Sequence, residues 1–133
     1  MQHYSFDIGT ISLIGVEAAG RFFEPIFFDR DRELLIIALC DDDVGLLELL
    51  TYPGSAVEVV ISFRALLRRA VTSGCAGLFA AHNHPSGDTR PSAGDIRFTR
   101  RLSLAAEATD IPLIDHLVFG EGPPFSFRSA GMI

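Results

Sequence analysis

The sequence predicts a three-layer α/β domain, a mixed sheet flanked by helices. Strand-like and helix-like stretches alternate along it without an internal repeat, a low-complexity tract or a linker. Two short apolar runs, Leu34 to Cys40 and Ala76 to Ala81, have the length and continuity of strands buried on both faces. At 133 residues the chain makes one ordinary domain, which buries about two thirds of the surface its unfolded form exposes. The expected organisation is a single domain over 1–133, with a partly helical N-terminal extension at 1–31 and the core at 32–133.

Residues 1 to 15 show no sustained period and read as a loosely attached lead-in. From Val16 to Phe28, the residues Ala19, Phe22, Phe23, Ile26 and Phe27 recur at helical spacing. Pro25 argues against a single unbroken helix there. So many phenylalanines must cover something, and the domain's own sheet is expected ahead of a homodimer built on this segment. Asp29 to Arg32 reads as a solvated turn, and the apolar run from Leu34 as a buried strand with Glu33 at its mouth. A second strand is expected over Val44 to Leu50 after a turn at Asp41 to Asp43, although these residues also tolerate a helix. Tyr52 to Ser55 carries a turn signal, and Val57 to Val60 reads as a short strand.

Ser62 is a good N-cap for a helix with Phe63, Leu66, Leu67, Ala70 and Val71 inward and Arg64, Arg68 and Arg69 outward; Gly74 stands at its C-terminal cap. Ser92 and Asp95 have the form of a capping box opening a further helix that runs to about Thr109. Its inward residues are Ile96, Thr99, Leu102 and Ala106, with Arg97, Arg100 and Arg101 largely outward. Ile111 to Phe119 reads as a buried strand interrupted by Asp115-His116, and Phe125 to Phe127 as an edge strand.

The formal charge of -6 argues against a broad electrostatic grip on nucleic acid or anionic lipid, leaving local arginine patches at 64–69 and 97–101. The chain has no apolar run long enough to cross a bilayer and no signal-peptide pattern at its start, so a soluble, cytoplasmic protein without a membrane partner is expected. Cys40 and Cys75 form no spaced framework and read as two buried thiols in a reducing compartment.

The chemistry concentrates in residues 82–95. In a strand His82 and His84 share a face, with Cβ atoms roughly 6 to 7 Å apart, and both imidazoles can then reach one zinc ion at about 2.0 Å. Asp95 falls in a first helical turn, where free amides and the dipole favour an ionised carboxylate. Two histidines and an aspartate leave a fourth tetrahedral position for water, as in a catalytic zinc site. Such a site also needs a proton acceptor off the metal, for which a glutamate is suited. The Ser92 oxygen can accept from the helix amides while its hydroxyl hydrogen points at a developing oxyanion. A plainer account of the same residues is packed histidines beside an ordinary capping box. The literal His-Asn-His string is not the endonuclease motif of that name, which describes separated residues in another fold.

His82-x-His84-Pro85, with Ser92 eight and Asp95 eleven residues after the second histidine, resembles the JAMM (MPN+) metallopeptidase motif. Ala81 to Asp88, Pro91-Ser92 and Ile111 to Gly120 resemble, more narrowly, the JAB domain of RadC proteins, a likeness that extends from about Glu33 to the C-terminus. The resemblance implies a cytidine-deaminase-like JAB/MPN fold, zinc held by His82, His84 and Asp95, and Ser92 beside the substrate oxyanion. It also implies Glu33 as general base, with Glu24 and Glu48 as competitors because the region between 42 and 56 aligns only with a gap. The implied activity is hydrolysis of a peptide or isopeptide bond in a protein or peptide substrate. Deaminase chemistry is not implied, since the H-x-E and P-C-x-x-C signature is absent. RadC-like proteins usually carry a helix-hairpin-helix segment ahead of this domain, and the roughly 32 residues before Glu33 are too few for it. The DNA reading thereby loses its main support, and the acidic balance weakens it further; a DNA-repair-associated accessory protein and a metal-bound interaction module without turnover stand as the alternatives. Asp115 and His116 also belong to the RadC-like pattern; alternation puts them on opposite faces, so at most one faces the site, and a buried hydrogen-bonded pair supporting the sheet is expected ahead of a role behind the metal ligands.

Overall fold

Apolar continuity decides which strands are central. Every residue of Leu34–Cys40 and of Gly77–Asn83 is buried, and these two segments take the two middle places of the sheet. The computed structural model describes residues 2–5, 11–54 and 62–133. Its strands β1 (Gln2–Ser5), β2 (Leu34–Cys40), β3 (Leu46–Pro53), β4 (Gly77–Asn83), β5 (Leu113–Phe119) and β6 (Phe125–Ser126) form one six-stranded sheet in the order β1-β3-β2-β4-β5-β6. All neighbours are antiparallel except β4 and β5, which run parallel. A parallel pair needs a long crossover, and the helix α3 (Ala93–Ala108) provides it.

The two faces of the sheet are covered separately, which makes the predicted three layers. Leu35, Ile37, Leu39, Leu78 and Ala80 pack under α2 (Phe63–Ser73) and α3, through Leu66, Ala70, Phe98, Leu102 and Ala106. Leu34, Ile36, Ala38, Phe79 and Ala81 pack under α1 (Val16–Phe27), through Ala19, Phe23 and Phe27. The rings of Phe23 and Phe79 stack at 5.7 Å, and those of Phe27 and Phe119 lie 5.1 Å apart. These phenylalanines therefore serve the chain's own core, while Phe28 stays exposed.

Several expectations need correcting. The N-terminal residues are no loose lead-in: β1 pairs with Glu48–Thr51, Ser12 bridges Gly45, and Leu13 is fully buried. Backbone pairing with β3, not apolar periodicity, holds them, so no period announces them. α1 runs unbroken through Pro25. The proline stands in the last turn, where it removes one hydrogen bond while Phe23 and Phe27 keep the helix seated. The second strand starts at Leu46 rather than Val44, because Asp41 Oδ1 accepts from the amides of Asp43 and Gly45 and holds the turn closed. It continues through Tyr52 and Pro53, so the turn begins only at Gly54. The strand expected at Val57 to Val60 lies outside the described residues.

The helix over Phe63–Ser73 has the predicted caps, with Ser62 accepting from the Ala65 amide and Gly74 at φ 71°. Val71, however, is exposed, and Arg69 is not simply solvated: its Nε donates to Glu48 Oε2 at 2.7 Å. Phe98, not singled out from the sequence, is more deeply buried on α3 than Ile96. The thiols of Cys40 and Cys75 are buried as expected. Burial, with Cys75 and Asp41 adding to it, pushes the Cys40 thiol up to about 12, so it is protonated and unreactive near neutrality.

The turn after β5 packs tightly against the loop that follows β4. A Cβ on Gly120 would stand 2.4 Å from the Gly87 carbonyl oxygen, and Glu121 donates its amide to that same oxygen at 2.8 Å. Gly120→Ala must therefore force the two loops apart. We expect a loss of about 1–3 kcal/mol, measured as a lower urea midpoint with an unchanged slope; an unaltered midpoint would show that the loops part freely.

Candidate metal centre

β4 ends in two polar residues, His82 and Asn83, although its seven positions are all buried, and His84 follows directly. His82 belongs to the face under α3, the face of its register partner Leu35. The chain then turns sharply. His84 donates its amide to the Phe119 carbonyl at 2.8 Å, and Gly87, at φ 92°, returns its amide to the His84 carbonyl at 2.9 Å. The Asp88 carboxylate accepts from the Arg90 amide and guanidinium, which hold it down to about 2 and shape the rest of the loop. The Asp88 carbonyl accepts from His84 Nδ1 at 2.7 Å.

This loop delivers Ser92 to the start of α3, where the predicted capping box is complete. Ser92 Oγ accepts from the Asp95 amide at 3.0 Å, and Asp95 Oδ2 accepts from the Ser92 amide at 2.8 Å. The same Oδ2 lies 3.0 Å from His84 Nε2 and 3.3 Å from His82 Nε2, and the two Nε2 atoms are 3.1 Å apart. The Ser92 amide that Asp95 Oδ2 accepts, at the positive start of α3, favours the ionised carboxylate.

The spacing of these three atoms tests whether a metal fits. Ligands on a tetrahedral zinc at about 2.0 to 2.1 Å stand about 3.3 to 3.4 Å from one another. The three observed separations fall at or just under that edge, and two imidazoles with one carboxylate are a chemically apt donor set. Among the described residues the trio is one of two groups whose donor atoms converge closely enough to hold an ion; the other, Asp41 with Asp42 and Asp43, is a surface turn.

Glu33 stands immediately before β2 and is half-buried, with its Oε2 enclosed by protein. Continued two residues beyond the last paired position, Leu35 with His82, strand alternation would put Glu33 on the His82 side of the sheet. It also borders a cavity of about 510 Å³ with Arg32 and Thr51. Of the competing glutamates, Glu48 is paired with Arg69 and opposite Leu39, which is itself opposite Leu78, four residues along β4 from His82. Glu24 lies on α1 and shares with His84 a cleft of about 720 Å³, also walled by Phe28, Phe119 and Glu121.

Three further residues act here. Asn83 points to the opposite face from His82, as alternation requires, and its side-chain amide spans the residues on either side of Glu33. It accepts from the Leu34 amide at 2.8 Å and donates to the Arg32 carbonyl at 3.1 Å. The signal that could have found it is a polar residue ending a wholly buried strand. His116 lies under the site, its Nε2 2.7 Å from His82 Nδ1 and its Nδ1 2.7 Å from Thr99 Oγ1. Burial, followed by the nearby His82, pushes its imidazole well below the usual range. Asp115 and His116 do face opposite ways, but they are not the single supporting pair expected from the sequence. Asp115 fastens β6 and the C-terminal turn, accepting from Ser126 Oγ and the Arg128 amide, whereas His116 joins the site.

A family model described as the RadC-like JAB domain matches residues 14–132. A UPF0758 protein of Acidithiobacillus ferrooxidans is 38% identical over 104 residues, which cover 77% of this chain and 46% of that protein. One from Burkholderia mallei is 43% identical over 105 residues, covering 78% of this chain and 38% of its own length. One from Aliivibrio salmonicida is 33% identical over 123 residues, 92% of this chain and 55% of its own. The chain thus spans about half the length of the curated relatives it matches. No described helix is long and apolar enough to cross a membrane.

The Asn83 amide makes a direct prediction. Asn83→Leu removes both bonds that hold the segment around Glu33, leaving the buried Leu34 amide unpaired while water can reach the Arg32 carbonyl. We expect a loss of about 1–3 kcal/mol in chemical denaturation, the cost of one stranded buried group. A loss no larger than that of a surface substitution would mean the clamp bears no strain.

Proposed function

Because the chain belongs to the RadC-like JAB domain family, we propose that it is a zinc-dependent hydrolase of the JAMM type, acting on a peptide or isopeptide carbonyl. The observation that carries this reading is the convergence of His82 Nε2, His84 Nε2 and Asp95 Oδ2 within 3.3 Å of one another. These three residues would hold the metal. When bound, zinc supplies a Lewis acid that polarises a carbonyl and lowers the pKa of water.

The chain's own residues account for the rest. Glu33, on the His82 side of the sheet and held through its neighbours by Asn83, takes a proton from the attacking water and returns it to the leaving amine. Ser92 Oγ, already accepting from the Asp95 amide, keeps its hydroxyl hydrogen for the substrate oxygen as charge grows there. A protein or peptide substrate reaches the site along the cleft that His84 borders.

Metal content and turnover separate the roles. We expect one zinc per chain by elemental analysis, its loss in Asp95→Ala, and its retention in Glu33→Gln. The Glu33→Gln variant should lose hydrolysis by a factor of roughly 10² or more. Full activity in that variant, with loss in Glu24→Gln, would move the base to α1.

A second reading has its own observation. Arg64, Arg68, Arg97, Arg100 and Arg101 are all exposed on the helical layer formed by α2 and α3, with Arg101 lying over the Phe63 ring at 5.1 Å. Such a face suits a DNA-associated accessory role. Duplex binding that falls steeply with salt and weakens by about one counterion-release increment for each arginine replaced would favour it. No binding at low salt would dismiss it.

A further inference from the structure

We propose that Thr99 and His116 are positioning residues that fix which nitrogen of His82 is free to take a metal, an inference that rests on the metal-site reading above. The Thr99 hydroxyl has one hydrogen, and its oxygen lies 2.7 Å from the Asp95 main-chain carbonyl, which can only accept. That bond uses the hydrogen. Thr99 Oγ1 is also 2.7 Å from His116 Nδ1, so there it must accept, and Nδ1 carries the His116 proton. A neutral imidazole has a single N–H, which leaves His116 Nε2 with a lone pair.

His116 Nε2 then accepts from His82 Nδ1, 2.7 Å away, and His82 Nε2 is left bare. His84 reaches the same state by a shorter route, since its Nδ1 donates to the Asp88 carbonyl at 2.7 Å. Both Nε2 atoms and Asp95 Oδ2 therefore face one another with lone pairs and no proton between them. The order starts at Asp95 itself. The helix that provides one ligand dictates, through its own carbonyl, the tautomer of another ligand on β4. His116 is held for this task between His82 and Phe127, whose ring stacks on it at 4.9 Å with an interplanar angle of 14°.

Two measurements on the full chain test the relay. In the metal-free protein, long-range proton–nitrogen correlation spectra should show His82 protonated on Nδ1. Zinc affinity, read by competition with a chromophoric chelator, should fall roughly 10-fold or more in His116→Leu and in Thr99→Val. His116→Gln, whose amide oxygen can accept from His82 and whose amide nitrogen can donate to Thr99, should recover much of that loss, as should Thr99→Ser. Thermal melts of the metal-free variants separate positioning from packing, because a merely structural role would lower melting temperature and affinity together and would show no rescue by glutamine. His82 protonated on Nε2, or a His116→Leu protein that binds zinc as tightly as the parent, would overturn the proposal. Should the parent itself fail to bind zinc, the metal reading falls, and the His82 tautomer still decides the relay. If His116→Leu does not fold, the affinity of Thr99→Val and the parent spectrum decide between the two outcomes.

Discussion

Two imidazole nitrogens and a carboxylate oxygen held at 3.0 to 3.3 Å are the constraint to which the rest of this structure answers. Bringing three electron-rich atoms together out of water is unfavourable unless a positive charge stands among them. Each therefore needs its own anchorage. His82 is fixed by a fully buried central strand, His84 by the Phe119 and Asp88 carbonyls, and Asp95 by the Ser92 amide. Three separate restraints aim at one point, and no single element could impose that geometry alone.

The sheet topology explains how distant segments meet there. β2 and β4 are antiparallel neighbours, so the start of β2 lies beside the end of β4, and the residue before β2 is Glu33. Asn83 makes that proximity rigid by bonding to Arg32 and Leu34 at once. β5, parallel to β4 on its other side, sets His116 level with Ala80, one alternation below His82. The parallel pair also compels the crossover through α3, and it is the first turn of that helix that carries Ser92 and Asp95. A central strand flanked by one antiparallel and one parallel neighbour thus collects residues from three parts of the chain.

How much of this is legible in the sequence depends on whether the signal is local. The two buried strands, both later helices and the capping box of Ser92 and Asp95 are short-range patterns, and the structure has them where the spacing puts them. The N-terminal strand is not legible, because pairing of its backbone with β3 leaves no mark on its side-chain order. The passage of α1 through Pro25 escapes local reasoning for a related cause: burial of Phe23 and Phe27 against distant rings outweighs a local hydrogen bond lost in the last turn. Within the site, the His82, His84 and Asp95 trio follows from spacing. The contributions of Asn83, Thr99 and His116 do not, since each depends on strand neighbours that spacing cannot supply.

Asp95 turns one oxygen toward two sets of partners. Its Oδ2 accepts the Ser92 amide as the closing half of a capping box and is also the oxygen that faces both imidazoles. Capping favours the ionised carboxylate, because a helix start stabilises negative charge. Coordination favours it too, and for the same charge. A cation at the site would draw on a carboxylate that the helix already keeps ionised, so little of its binding energy would be spent on expelling a proton. By linkage the same cation would stabilise the fold in proportion to its affinity, and the first turn of α3 would feel that effect first. The oxygen that closes the cap is the one that faces both imidazoles, so the stability of the helix start and the affinity of the trio for a cation would vary together.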